Sequence, residues 1–147
     1  MTAAITQITT VTSHEIWERG TPVFWRSVAD KALTPELALD YLGEMSTDIR
    51  AAVLLDGDGR LAAGSPDDDG RAERMRTIAL ELFERADEAA GGPRSACQVE
   101  VTLPDAAVFG VRSDTWTIAV VANRLALTSL MFYDLRSVLA DLGGSTR

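Results

Sequence analysis

One cysteine, one histidine and one lysine occur in 147 residues, and each scarcity closes off a class of function. Cys97 alone cannot form an internal disulfide, so nothing here requires an oxidising compartment. It alternates with core positions and reads as a small buried hydrophobe rather than a nucleophile. His14 stands beside Ser13 and Glu15, yet three adjacent residues cannot converge on one reacting atom as a triad must. Lys31, the single lysine, follows no glycine-rich loop, and Gly57, Gly59 and Gly64 lack the spacing of a phosphate-binding motif. No window approaches the roughly 18 apolar residues of a spanning helix. The first residues lack the basic start and apolar stretch of a secretory leader. Basic residues are few as well: 14 against 22 acidic ones give a net charge of −8. No local basic patch interrupts that balance, which argues against nucleic acid or an anionic membrane surface as partner. The expectation is a cytoplasmic, non-enzymatic chain with no cofactor, no metal and no direct membrane insertion.

What the sequence does contain is a core. Hydrophobic residues make up 46% of it, enough for one domain with a substantial interior. The densest stretch is Ala96 to Ala122. Cys97, Val99, Val101 and Leu103 alternate with Gln98, Glu100 and Thr102, the period of a strand with one buried and one wetter face. Pro104-Asp105 breaks the run. A second apolar run spans Ala106 to Arg112, and after Ser113-Asp114 a third spans Thr115 to Ala122, with Trp116, Ile118 and Val120 on one face. Strands this close in sequence pair antiparallel, since a parallel return needs a crossover of about a dozen residues. Such a meander needs a layer on each side, and helices before and after it supply them.

From the beginning of the chain, Met1 to Ser13 is threonine-rich and reads as a loose arm, with an added edge strand as the alternative. Thr21-Pro22 is a helix start. Phe24, Trp25, Val28, Ala29 and Ala32 then recur at helical spacing, and with Ile16 and Trp17 they fold back onto the domain or are offered to another protein. Thr34-Pro35-Glu36 starts a second helix, with Leu37, Tyr41 and Met45 on its apolar side and Ala38, Leu42 and Ile49 beside them. Ala51 to Leu55 is an apolar strand. Asp56-Gly57-Asp58-Gly59 is a tight turn returning a partner strand over Arg60 to Gly64. Ser65 to Gly70 is a solvated loop. Arg71 to Ala90 is the longest helix, with Ala72, Met75, Ile78, Ala79, Leu82, Phe83, Ala86 and Ala90 on one broad side and Leu80 widening it. Gly91-Gly92-Pro93 ends it. A last helix starts between Leu125 and Thr128 with a stripe of Leu127, Leu130, Met131, Leu135, Val138, Leu139 and Leu142. The tail, Ser145 to Arg147, is expected to be disordered.

The resulting order is helix, two strands, long helix, three strands, helix, preceded by a short extra helix. The strand and turn AAVLLDGDGRLAAGS, the amphipathic long helix, the meander closing on TWTIAVVAN and the terminal leucine-rich helix resemble the roadblock / dynein light chain family in order and spacing. The resemblance covers about Thr34 to Gly144. It implies an α+β fold in which a five-stranded antiparallel sheet lies between the long helix and two other helices. Residues 1–33 are then an N-terminal extension, 34–144 the roadblock-like domain and 145–147 a tail. It also implies a homodimer made by Arg71 to Ala90 and Ala96 to Leu103 meeting their copies, with Leu80, Phe83, Val99, Glu100 and Val101 as interface residues. Two features of the sequence agree: the first meander strand falls at a sheet edge, which needs cover or a partner, and Leu80 and Phe83 exceed what covering a sheet requires.

Bacterial proteins of this resemblance act beside small Ras-like GTPases, so the resemblance further implies a dimeric module that binds and regulates such a GTPase. Arg71, Arg74 and Arg85 on the long helix are the residues available to meet it. A solvated face with a weak Glu81–Arg85 pair is the other reading of those arginines. Two further functions fit the same elements: a small-molecule sensor of PAS or profilin-like type, and a scaffold subunit of a larger complex.

Overall fold

A computed structural model describes residues 8–12, 33–66 and 68–144. Its elements are β1 (Ile8–Thr12), α1 (Pro35–Met45), β2 (Ile49–Asp56), β3 (Leu61–Ser65), α2 (Asp69–Ala90), β4 (Ala96–Thr102), β5 (Ala107–Arg112), β6 (Trp116–Ala122) and α3 (Thr128–Gly144). All pairings are antiparallel, and the strands lie in the order β1-β4-β5-β6-β2-β3. The five strands β2 to β6 form the expected sheet. The meander β4-β5-β6 meets the earlier hairpin through β6 and β2, with Val53 opposite Ala119 and Leu54 opposite Ile118.

Each face of the sheet carries its own core. On one side Leu54, Phe109, Val111, Ile118 and Val120 are covered by Leu39 and Leu42 of α1 and by Met131, Phe132, Leu135 and Leu139 of α3. The Phe109 and Phe132 rings meet edge to face, 5.3 Å apart at 84°, the arrangement that the ring quadrupole favours. On the other side α2 covers Val53, Leu55, Ala119, Val99 and Val101 with Ala72, Ala79, Phe83 and Ala86. The alanines let this helix lie close to the sheet. At Gly64 the approach is closest: a Cβ added there would sit 2.8 Å from the Ala72 Cβ.

Local chemistry sets the element ends where the sequence places them. The Thr34 hydroxyl accepts from the Leu37 amide at 3.2 Å and Pro35 occupies the first turn of α1, so one orphan donor is satisfied and the residue lacking a donor stands where none is needed. In the β2–β3 turn, Asp56 Oδ1 accepts from the amides of Asp58 and Arg60, while Gly59 takes φ 82°. Asp68 caps α2 and Gly91, at φ 109°, closes it.

Several expectations are corrected. Residues 8–12, read first as a loose arm, form β1, and β4 is therefore an inner strand paired on both sides. The 98/100/102 face of β4 is not turned to water. Gln98 is buried and accepts from Arg136, and Glu100 accepts from the Thr128 hydroxyl, so α3 covers that face with polar contacts. In α1 the buried positions are Ala38, Leu39 and Leu42, while Leu37 is exposed. In α3 the buried stripe runs through Met131, Leu135, Val138 and Leu142; Leu127 precedes the helix and Leu130 falls out of phase, and both are exposed. Ile78 is likewise exposed rather than part of the inner face of α2. The proposed helix over Phe24 to Ala32, His14 and the 145–147 tail lie outside the described residues.

The layer of α1 and α3 also holds buried polar side chains. Asp134, Ser137 and Asp141 are buried on one flank of α3. Burial pushes both carboxyls above the usual carboxylate range. Across the seam, burial raises the Tyr41 hydroxyl on α1, and the charges of Asp141, Asp134 and Glu44 raise it further. A carboxyl whose pKa is raised by folding binds its proton more tightly in the folded chain. It therefore lowers stability as pH rises from the ordinary carboxylate range through the raised value. Asp134→Asn and Asp141→Asn are expected to raise the melting temperature at neutral pH and to flatten its decline between acidic and neutral buffer. Thermal melts across that interval check this, and an unchanged slope in both variants would contradict it.

Candidate protein-interaction site

The site implied for a partner lies on α2, and three features fix how that helix is presented. At its start Asp68 Oδ1 accepts from Gly70 and Arg71 amides at 3.1 and 3.3 Å, an acceptor placed where the helix dipole favours negative charge. In its middle Phe83 lies over Gly110 of β5, where an added Cβ would come within 2.9 Å of the ring. At its end Asp87 accepts from the Ala96 amide at 3.0 Å and from both terminal nitrogens of Arg112, at 3.2 and 2.5 Å. Arg112 also donates to the Ala96 carbonyl, and its guanidinium stands 4.7 Å from the centre of the Phe83 ring. Burial acts to raise the Asp87 carboxyl. Hydrogen bonds from Arg112 and from the Ala96 and Arg94 amides, with the Arg112 charge, outweigh it and hold the carboxyl below its ordinary value.

Helical spacing brings Arg71, Arg74, Ile78, Glu81 and Arg85 to one stripe, each three or four residues from the next. All five are exposed, and the stripe extends about 21 Å at 1.5 Å per residue. The structure thus places the three expected partner-binding arginines together, with Ile78 among them half exposed at 50%. Within the helix Arg76 pairs with Glu73 at 3.5 Å. Arg76 also donates to the Gly59 carbonyl at 2.6 Å, so it ties α2 to the β2–β3 turn.

The five residues expected at a dimer interface do not share a surface. Phe83, Val99 and Val101 are buried inside the subunit, each below 5% exposure, because they fill the core between α2 and β4. Glu100 points to the opposite face of the sheet, where Thr128 holds it. Leu80 packs beside Gly59, its Cδ2 3.3 Å from a Cβ built there, in the turn leading to β3 at the far edge of the sheet. Its width on the helix serves that turn first. What β4 can still offer another chain is its backbone, and β1 now lies on it.

Cys97 is buried, as its alternation suggests. Among the described residues no group of three or more His, Cys, Asp or Glu side chains is gathered as a metal site would need. Within the same residues no helix is long and apolar enough to cross a membrane. The Asp87–Arg112–Phe83 cluster is the feature that sequence reasoning missed. Its members are 25 and 29 residues apart in the chain, and no local pattern marks the pair.

No protein-family model matches the sequence, and comparison with curated proteins gives no significant match. Solved structures do match in fold. The roadblock/LC7 domain from Streptomyces avermitilis is 21% identical, with a TM-score of 0.66 over 76% of this chain and 96% of that one. Myxococcus xanthus MglB is 12% identical, with a TM-score of 0.56 over 73% and 89%. Schizosaccharomyces pombe profilin is 10% identical, with a TM-score of 0.53 over 76% and 98%. The chain has the α+β roadblock fold, an architecture it shares with profilin.

Proposed function

We propose that this chain is a non-catalytic, dimeric interaction module that binds and regulates a small Ras-like GTPase. The observation carrying this reading is the exposed stripe of Arg71, Arg74, Ile78, Glu81 and Arg85, three cations to one anion, on a helix fixed at both ends, in a chain of net charge −8. A cationic stripe with an apolar centre suits an acidic protein surface: the charges steer and orient, and the apolar contact adds affinity. The roadblock fold, shared with MglB, supports the same class of role. Regulation would proceed by repositioning the GTPase's own groups, since none of the three arginines stands on a loop able to enter another protein's active site. Leu80 lies about 200° round the helix from Ile78 at 100° per residue, so the stripe stays open if other parts of the chain meet a second copy.

The test compares the full-length chain with an Arg71→Glu/Arg74→Glu/Arg85→Glu variant as baits in native cell extract, with a non-hydrolysable GTP analogue or GDP present. The wild-type chain is expected to retain a small GTPase in one nucleotide state, and the variant to retain about tenfold less or weaker still. Equal retention by both baits would remove α2 from the partner surface. Retention of no GTPase would overturn the reading.

A further inference from the structure

We infer that β1 is a built-in competitor for the edge of β4, and that its docking and release set whether two copies of this chain can join through that edge. The inference rests on the dimer reading above. Five residues, Ile8 to Thr12, pair antiparallel with β4 in the register Ile8 to Val101, Thr10 to Val99 and Val11 to Gln98. They also lie against α2, so β1 occupies both elements that the dimer reading assigns to a second copy.

β1 supplies this edge with a ladder of backbone pairing. With β1 in place the β4 side chains beside it are buried: Cys97, Val99 and Val101 are 1–3% exposed, and Gln98 accepts from Arg136 on the α3 side. Any extended segment of similar length can supply the same ladder of hydrogen bonds, which is how strand addition to a sheet edge works. The fit of β1 is also imperfect, because the register shifts between Val11 and Thr12. A residue unpaired at a bulge shortens the ladder.

A second β4 is a well-matched rival. Set antiparallel about a twofold axis at Val99, its seven residues place Gln98 opposite Glu100 of the other copy and Cys97 opposite Val101. Moving the axis to Glu100 would instead oppose two carboxylates, which is unfavourable. The Val99-centred pairing uses the same outward amides and carbonyls of β4 that β1 holds, so the two occupants exclude each other. The tethered strand has the advantage of effective concentration, because it belongs to the same chain as the edge it pairs with. A second copy at micromolar concentration meets a β4 edge that is largely taken.

The experiment keeps the full chain and disables β1 alone. Thr10→Pro/Val11→Pro removes two successive amide donors, at least one of which faces β4 in any antiparallel register. A second variant replaces Ile8–Thr12 by Gly-Ser-Gly-Ser-Gly and keeps the length of chain. Sedimentation equilibrium on wild type and both variants reads the dimer dissociation constant. The variants are expected to dimerise about tenfold or more tightly than wild type. If all three dimerise equally, the edge competition is wrong while the dimer reading stands. If none dimerises, both fall. If the variants dimerise more weakly, β1 is an element of the dimer rather than its competitor, and the inference is overturned.

Discussion

Gly110→Val is expected to lower the stability of the chain by about 2–3 kcal/mol, the upper range for overpacking a well-filled core. Strand propensity alone gives the opposite sign: β5 is a central strand, and valine is favoured over glycine there by up to about 1 kcal/mol. Space decides the outcome. The position of a Cβ at Gly110 is 2.9 Å from Phe83 Cε2 and 3.1 Å from Cζ, below any ordinary carbon contact. Phe83 cannot swing aside freely, since it is 4% exposed and Arg112 lies on its face. For a domain near this size the loss corresponds to a melting temperature lower by about 4–12 °C. Combining the substitution with Phe83→Leu, which withdraws the ring edge, should recover part of the loss, as coupled neighbours do. A variant as stable as wild type in urea and thermal melts would show that α2 does not press on β5 here.

Asp87→Ala is the second large effect, expected at about 3 kcal/mol, the lower end for breaking a buried pair. The carboxylate and the Arg112 guanidinium retain 15% and 10% exposure. Removing the acid leaves a nearly buried cation without its partner and the Ala96 amide without its acceptor. Asp87→Asn should cost less, because an amide oxygen can still accept from Ala96. Asp87→Ala combined with Arg112→Met should recover stability relative to Asp87→Ala, since the lone charge is gone. The pH dependence has a definite sign. A carboxyl held below its unfolded value contributes stability that is present above the ordinary carboxylate range and lost as pH falls through the lowered value. Wild type should therefore lose stability on acidification more steeply than Asp87→Ala. Urea titrations of the four proteins at neutral and acidic pH check the ranking. Equal midpoints for wild type and Asp87→Ala would contradict it.

The order of elements was legible because each carries its own local signal. Thr34-Pro35 starts α1, the aspartate–glycine turn makes the β2–β3 hairpin, Gly91 stops α2, and period-two alternation marks β4. Strand neighbours were legible where connections are short, as in β4-β5-β6. What local pattern could not show is which of two faces meets water. Gln98 and Glu100 look like the solvent side of an edge strand, yet α3, some 30 residues on, places Arg136 and Thr128 over them. Leu37, Ile78 and Leu130 look like core and are exposed, because each lies off the arc of its helix that meets the rest of the fold, and Leu127 is exposed because it precedes α3. For the candidate site, the arginine stripe followed from spacing alone. The dimer residues did not: burial of Phe83, Val99 and Val101 depends on α2 lying across β4, a contact that no single stretch of sequence announces. β1 was legible only as the alternative to a loose arm, because five threonine-rich residues make a strand only when an edge 84 or more residues away receives them.

The most direct test of the proposed role is a calorimetric titration of the purified full-length chain with the small GTPase it retains, loaded with a non-hydrolysable GTP analogue and then with GDP. Binding about tenfold or more stronger in one nucleotide state, weakened by added salt as the arginine stripe requires, is the result expected. Equal affinity for the two states, or binding that salt leaves unchanged, would contradict it.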